Sequence, residues 1–344
     1  MSLKKAIIVF SAALILVTGF IFFQYTYNQT NVEPLRKYKI GIIINNDVQM
    51  PNVDGFKSKM KELGYIDGAN TEYIIKNAQN KPDLQIKYPE EIIAAKSDMI
   101  VVLSPAVAVN LSKQNPSVPV LFMDIDPETL IKDKAYPEKN ITGVSAGFLD
   151  FAGKRVEVLK EIYPSIKKII IPSDKNHPNY PKFIESVRAA ASRLQIEIVE
   201  IQTKDIGDFL SRLPEIVNKK NGDALIFYPG PNNISAAGGA ANAPKRKLIV
   251  DQLIKEKMPA INHNMEIGCA SEGVLACYGN YRVDVGKEGA ILADKILKGV
   301  PIKDIPVVPP VKTLVLEINL KTAKSIGITI PQAILSRANK VYQE

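Results

Sequence analysis

Residues 97–114 read SDMIVVLSPAVAVNLSKQ. An apolar run, Met99 to Leu103, stops at Ser104-Pro105, and a stretch of small and apolar residues follows. Runs of Ile, Val and Leu without polar alternation mark strands buried on both faces. Ser is a preferred helix N-cap, and Pro is favoured at the first helical position. The stretch therefore reads as a buried strand passing directly into a helix, with Ser104 at the junction. Such a junction leaves backbone N–H groups free at the helix start, where the helix dipole adds partial positive charge. A carboxylate or phosphate fits there.

The same unit recurs on both sides. YKIGIII (38–44) precedes VDGFKSKMKELGY, VPVLFM (118–123) precedes NITGVSA, and KKIIIPS (167–173) precedes YPKFIESVRAAASRL. DALIFYP (223–229), RKLIVDQLIKEK and MPAIN continue the series. This alternation predicts an α/β fold with parallel sheets covered by helices on both faces. It runs through twice, with a break near GVSAGF (143–148), so two similar lobes are expected. A late helix, VGKEGAILADKILKG, precedes VKTLVLEIN, so the chain crosses between lobes more than once. The division expected is an anchor or signal segment plus linker at 1–37, a first lobe at 38–145 and a second at 146–279. Residues 280–310 return to the first lobe and 311–344 complete the second. IKDIPVVPP (302–310) reads as a linker or edge segment, and AAGGAANAP (236–244) as a loop.

The N-terminus is of another kind. Lys4 and Lys5 precede an apolar or small run from Ala6 to Phe23, about long enough to span a bilayer. No A-x-A-like site and no Cys follows it, which favours a retained N-terminal transmembrane helix over a cleaved signal peptide, with the bulk outside the cytoplasm. Arg36, Lys37 and Lys39 just after the run blunt the charge-asymmetry argument. The net charge of +8 is spread along 344 residues rather than gathered in a stripe, which argues against nucleic acid. The two cysteines, Cys269 and Cys277, either form a disulfide or remain buried thiols.

Ligands of parallel α/β sheets bind beyond the carboxyl ends of the strands. Those ends carry Asn45-Asn46-Asp47, Ser104-Pro105-Ala106, Asp124 and Asp126, Ser173 to Asn176, Gly230 to Asn233, and Asn262-His263-Asn264. The same residue types serve helix caps and turns, so each alone has an ordinary reading. Together they line two facing rims suited to a small polar ligand. Asp124 or Asp126 can accept a bond from a ligand ammonium, although Asp126-Pro127-Glu128 also reads as a helix start. His263 can face the cleft, whereas His177 before Pro178 reads as a helix-entry turn. There is no glycine-rich phosphate loop, no nucleophile–His signature and no metal-ligand spacing, so no catalytic residue, cofactor or metal is expected.

GFKSKMKELGYIDGANTEY, SDMIVVLSPAVAVNL, VPVLFMDIDPE, NITGVSAGFL, ACYGNYRVDVGKEGAILADKILKG and LEINLKTAKSIGITIPQAILSRANKVYQE, in this order, resemble the ABC-transporter substrate-binding family. The resemblance runs from about residue 38 to the C-terminus and implies a type I periplasmic-binding-protein fold ending in a last helix. It places the ligand pocket at Asn46, Ser104, Pro105, Ala106, Asp124, Asp126, Asn176, Pro229, Asn232, Asn264 and Tyr281. Two positions depart from the pattern. Asn280-Tyr281 follows Tyr278-Gly279 where members often carry an Asp, and Asn stands near 264 where the strand end is often acidic. The ammonium partner then falls to Asp124 or Asp126. The resemblance implies a monomeric, non-enzymatic, extracytoplasmic protein that closes on a small polar ligand, with an amino acid or related small carboxylate as leading guess. It would hand the ligand to an ABC permease with its ATPase, or act as a membrane-tethered sensor through a separate signalling partner.

Overall fold

The computed structural model describes residues 18–19, 37–177, 179–230, 233–234, 242–263, 265, 267–309 and 314–343. The apolar run at 6–23 and its linker, apart from Thr18, Gly19 and Lys37, lie outside the described residues, so the expected transmembrane helix is not among the elements seen. Among the described residues no helix is long and apolar enough to cross a membrane.

The first lobe is built on β1 (Tyr38–Ile44), β2 (Thr71–Asn77), β3 (Met99–Val102), β4 (Val120–Met123) and β5 (Ile141–Val144). They form one parallel sheet in the order β2-β1-β3-β4-β5. Helices α1 (Met50–Glu62), α2 (Pro82–Ala94) and α3 (Pro105–Gln114) connect them. The Ile-rich β1 shows why the sheet is covered twice. Ile40, Ile42 and Ile44 enter the core on one face, and Ile43 enters the core on the other. Burying such a side chain contributes about 1.5–3 kcal/mol, so both faces need helices. The edge strand β2 and the helix α2 are absent from the sequence reading. Only Thr71 of β2 is fully buried, so its TEYIIKN lacks the apolar run that marks the inner strands.

The second lobe carries β6 (Lys168–Ser173), β7 (Glu197–Gln202), β8 (Ala224–Ile226), β9 (Ala260–Asn262), β10 (Ala276–Gly279), β11 (Val315–Asn319) and β12 (Lys340–Tyr342). Their order is β12-β11-β10-β9-β8-β6-β7. Helices α4 (Ala152–Ile162), α5 (Tyr180–Arg193), α6 (Ile206–Ser211), α7 (Leu213–Ile216) and α8 (Ala243–Lys255) pack around it. Ala243 and Pro244, expected in a loop, are the first residues of α8.

Between the lobes the chain makes a long return. Helix α9 (Arg282–Leu297) leaves β10 and packs on the first lobe, where Val285, Ala290, Leu292 and Ala293 join the core of β1 and β3. Two glycines set this contact. A Cβ on Gly55 of α1 would stand 2.1 Å from the Val283 carbonyl oxygen, and one on Gly286 would stand 2.0 Å from that of Asn52. Residues 307–308 then bind the edge of the first sheet, with Val308 N–H donating to Gly143 O at 2.9 Å and Ser145 N–H donating to Val308 O at 3.0 Å. The expectation of wholly parallel sheets fails at the next strand, because β11 runs antiparallel to β10. The chain re-enters the second sheet from the side where its other strands end, so it runs the opposite way. The C-terminus adds one element. After α10 (Leu320–Ile326) the last helix expected behind Ile330-Pro331 is present as the short α11 (Gln332–Leu335), and the chain then adds a strand, β12, that the sequence reading lacks.

Cys269 and Cys277 are joined in a disulfide with Cα atoms 5.8 Å apart, resolving the two readings left open. Both are fully buried and pack with Met265, Ala270 and Val315 beneath Tyr281 and Tyr342.

Candidate functional site

Parallel strands end together, so the first lobe gathers its strand ends on one rim. At the end of β1, Asn46 accepts a bond from Val48 N–H at 3.0 Å, and its own amide donates to Asn80 Oδ1 at 3.0 Å. This asparagine thus holds a local turn. Ser104 is different. It is the N-cap residue of α3, with Pro105 opening the helix, yet its side chain makes no capping bond. Its hydroxyl is buried without any hydrogen-bond partner. Pro105 and Ala106 beside it are exposed.

Beyond β4 the two aspartates take separate parts. Asp124 stands in the left-handed region with φ 59° and accepts a bond from Arg282 Nε at 3.0 Å. Both are buried, and Arg282 is the first residue of α9. Burial raises the Asp124 carboxyl and Arg282 opposes the rise. Asp126 lies two residues on. Its Oδ1 accepts from Gly147 N–H at 3.1 Å and from the Ser145 hydroxyl at 3.4 Å. Those donors lie in the segment that leaves β5 for the second lobe. Burial first, then the like charges of Glu128 and Asp150, push the Asp126 carboxyl up to about 7, against Lys182.

The second lobe answers with a cation and a layer of rings. Arg155 of α4 is fully buried. Its Nη1 donates to Phe148 O at 3.0 Å and its Nε to Tyr278 O at 3.1 Å, so one guanidinium holds both outgoing crossings of the chain. Its Nη2 is buried without a hydrogen-bond partner. Burial lowers this guanidinium to about 9, partly offset by Asp126. Phe148, half-buried in the first crossing, meets the His263 ring edge-on at 4.7 Å. His263 is held neutral, its pKa well below the usual value, by burial and by the charges of Arg155 and Arg282. Asn233 ties the ends of β8 and β9, donating to Tyr228 O at 2.7 Å and to Asn262 Oδ1 at 3.2 Å. His177 sits in the turn that enters α5, with its Nδ1 2.7 Å from the Tyr228 hydroxyl.

The named positions thus divide. Ser104, Asp124 and Asp126 share one rim, where Arg282 joins Asp124, and Arg155 and His263 belong to the second lobe. Tyr281 lies at the second crossing, but its hydroxyl donates to Glu317 Oε1 of β11 at 2.6 Å. Asn176 is exposed in the loop after β6, and Pro229 is half-buried at the end of β8. Asn232 and Asn264 lie outside the described residues. Sequence reasoning missed Arg155, Arg282 and Phe148. Each sits in a segment whose neighbours are ordinary helix or loop residues, and nothing in its spacing marks it.

The architecture has close counterparts. The family described as ABC transporter substrate binding protein matches residues 37–342, nearly the whole described chain. The chain belongs to this family. The tyrosine-binding protein of Clostridioides difficile (strain R20291) is 27% identical over 309 residues, covering 88% of this chain and 84% of that protein. Among solved structures, the ABC domain in complex with L-Trp from Streptococcus pneumoniae superposes with a TM-score of 0.75 at 23% identity, covering 89% of this chain and 99% of that one. A conserved domain protein from Vibrio cholerae gives 0.74 at 24% identity, with 89% and 99% covered. At these identities the structures establish the shared fold. As a family member, the chain is a substrate-binding protein built from two α/β lobes, and its cleft is the place to look for a ligand.

Proposed function

We propose that this protein is the extracytoplasmic solute-binding component of an ABC importer, and that its lobes close on an amino acid. The observation that carries the reading is the Ser104 hydroxyl. It is buried at the start of a helix, has no partner, and stands among the free N–H groups of α3. An uncompensated buried hydroxyl costs about 1–3 kcal/mol, and a ligand carboxylate would satisfy it together with the helix N-terminus. Asp126 supplies the acceptor for the ammonium, since Asp124 is already paired with Arg282. The Phe148–His263 pair offers an apolar, aromatic wall for a side chain. A disulfide supports an oxidising compartment. The basic and apolar N-terminus supports attachment to the membrane beside a permease and its ATPase.

L-Tyrosine and L-tryptophan are the first compounds to test, because relatives are named for them. Thermal unfolding of the protein with the twenty amino acids, sugars and nucleosides reads the ligand class. Ligand at a thousandfold above its dissociation constant adds about 4 kcal/mol, a rise of several degrees. A shift confined to amino acids supports the proposal. A shift with sugars or nucleosides alone sinks it.

A further inference from the structure

We propose that Glu128 and Lys182 form a latch between the two lobes, beside the first crossing, one that favours closure and lets go without leaving a charge unpaired. The inference rests on the reading that the lobes open and close, but not on the identity of the ligand. Glu128 belongs to the first lobe, in the short turn Pro127–Thr129 after β4. Lys182 belongs to the second, in the first turn of α5. Their side chains meet at 2.5 Å. The pair joins the two lobes directly, so parting the lobes at this point would break it.

Each partner also has a companion on its own side. Lys134, from the loop following Glu128, approaches the same carboxylate at 2.9 Å. Asp150, in the crossing that leads into α4, approaches the Lys182 ammonium at 3.1 Å. The structure therefore holds a row of four alternating charges, Lys134, Glu128, Lys182 and Asp150. When the lobes part, the row divides into two complete pairs. Opening then strands neither Glu128 nor Lys182, so the latch adds to closure and does not trap the ligand. The titration behaviour agrees. Burial alone would raise Glu128, but Lys182 and Lys134 hold it below its ordinary value. Burial alone would lower Lys182, but Glu128 and Asp150 hold it above its ordinary value.

All four side chains are partly exposed. The energy of such a pair is small in a rigid protein. Here it differs fully between two states, and differential energy is what moves a conformational equilibrium. A partly exposed pair shifts the closed-to-open ratio about 1.5- to 5-fold. Salt weakens it.

The test measures lobe separation directly, by energy transfer between dyes on Lys87→Cys in the first lobe and Lys220→Cys in the second. The native cysteines are bonded to each other and stay unlabelled. The protein is measured without ligand and with L-tyrosine, at low and at high salt. Glu128→Gln and Lys182→Gln should each lower the closed-to-open ratio of the unliganded protein about 1.5- to 5-fold. The double variant should go no further than either single one, and salt should no longer affect it. Lys134→Gln and Asp150→Asn should leave the ratio unchanged or raise it. Their own pairs persist in both states, while each adds a like-charge repulsion between the closed lobes. Effects that add in the double variant, flanking variants that lower the ratio equally, or a separation that neither salt nor substitution moves would overturn the latch. Failure of L-tyrosine alone to close the lobes counts against the ligand reading and does not touch the latch, which the unliganded protein tests by itself.

Discussion

Asp124 and Arg282 stand 158 residues apart in the chain and meet as a buried ion pair. The pair joins the end of β4 to the first residue of α9. It fixes the point where the second crossing docks on the first lobe. Removing one member of a buried pair leaves the other uncompensated and costs about 3–5 kcal/mol. Asp124→Asn keeps a residue type that tolerates the left-handed backbone, so its cost isolates the charge. We expect a fall of roughly ten degrees in unfolding temperature. Adding Arg282→Met should recover most of it. Calorimetry showing an unaltered Asp124→Asn protein would mean that the pair does not hold the crossing in place.

Ser104→Ala separates binding from folding. An N-cap serine replaced by alanine ordinarily costs about 1 kcal/mol. Here the hydroxyl makes no capping bond and its burial is uncompensated, so the unliganded protein should unfold at the wild-type temperature or several degrees above it. Ligand affinity should fall roughly 10- to 100-fold, the worth of a hydrogen bond to a charged group. Titration calorimetry and a melting curve on the same preparation decide the matter. A destabilised variant that binds normally would return Ser104 to the role of an ordinary cap.

Asp126 sets stability and binding against each other. Its folded-state value of about 7 lies above the usual 3.8, so the folded protein binds an extra proton between those limits. Stability therefore falls as pH rises from about 4 to 7 and flattens above. Asp126→Asn removes that slope and should be more stable at pH 8, by on the order of 2–4 kcal/mol. The same change deletes the acceptor for a ligand ammonium, so affinity should drop at least tenfold. In the wild type, binding should weaken as pH falls through 7. Denaturant melts and binding isotherms from pH 5 to 8 would expose the opposite signs. A variant with an unchanged slope would show that the carboxyl is not buried in solution.

The disulfide closes a loop with a sequence separation of 8. Chain-entropy arguments give about 2–3 kcal/mol for a loop of this size. Reductant, or Cys269→Ser with Cys277→Ser, should lower the unfolding temperature by several degrees. The bridge packs against Met265 and beneath Tyr281, so the loss should also loosen the second crossing. Equal melting curves with and without reductant would contradict this.

How much of this could be read from residues alone depends on range. The inner strands announce themselves, because an unbroken aliphatic run has no other home than a sheet covered on both faces. Ser104 was legible because Ser-Pro after such a run is a local signal. Strand β2 was not, since its exposed edge needs few apolar residues. Nor was the direction of β11, which follows from where the chain re-enters the sheet. Arg155 sits beside Lys154 and Glu157 and looks like one more surface charge on a helix. Only the two carbonyls it holds, from Phe148 and Tyr278, distinguish it, and the Tyr278 carbonyl comes from 123 residues away. Glu128 and Lys182 are invisible for the same reason.

The return of α9 to the first lobe also governs how this chain can be made. One face of the first sheet is completed by Val285, Ala290, Leu292 and Ala293, which are added late in synthesis. Until then Ile40, Ile42 and Ile44 are covered on that side only in part, by Val53, Phe56 and Met60 of α1. Contacts of such long span form slowly, and uncovered apolar sheet invites aggregation in the meantime. The first lobe therefore cannot set into its final form before residues 282–297 have been made.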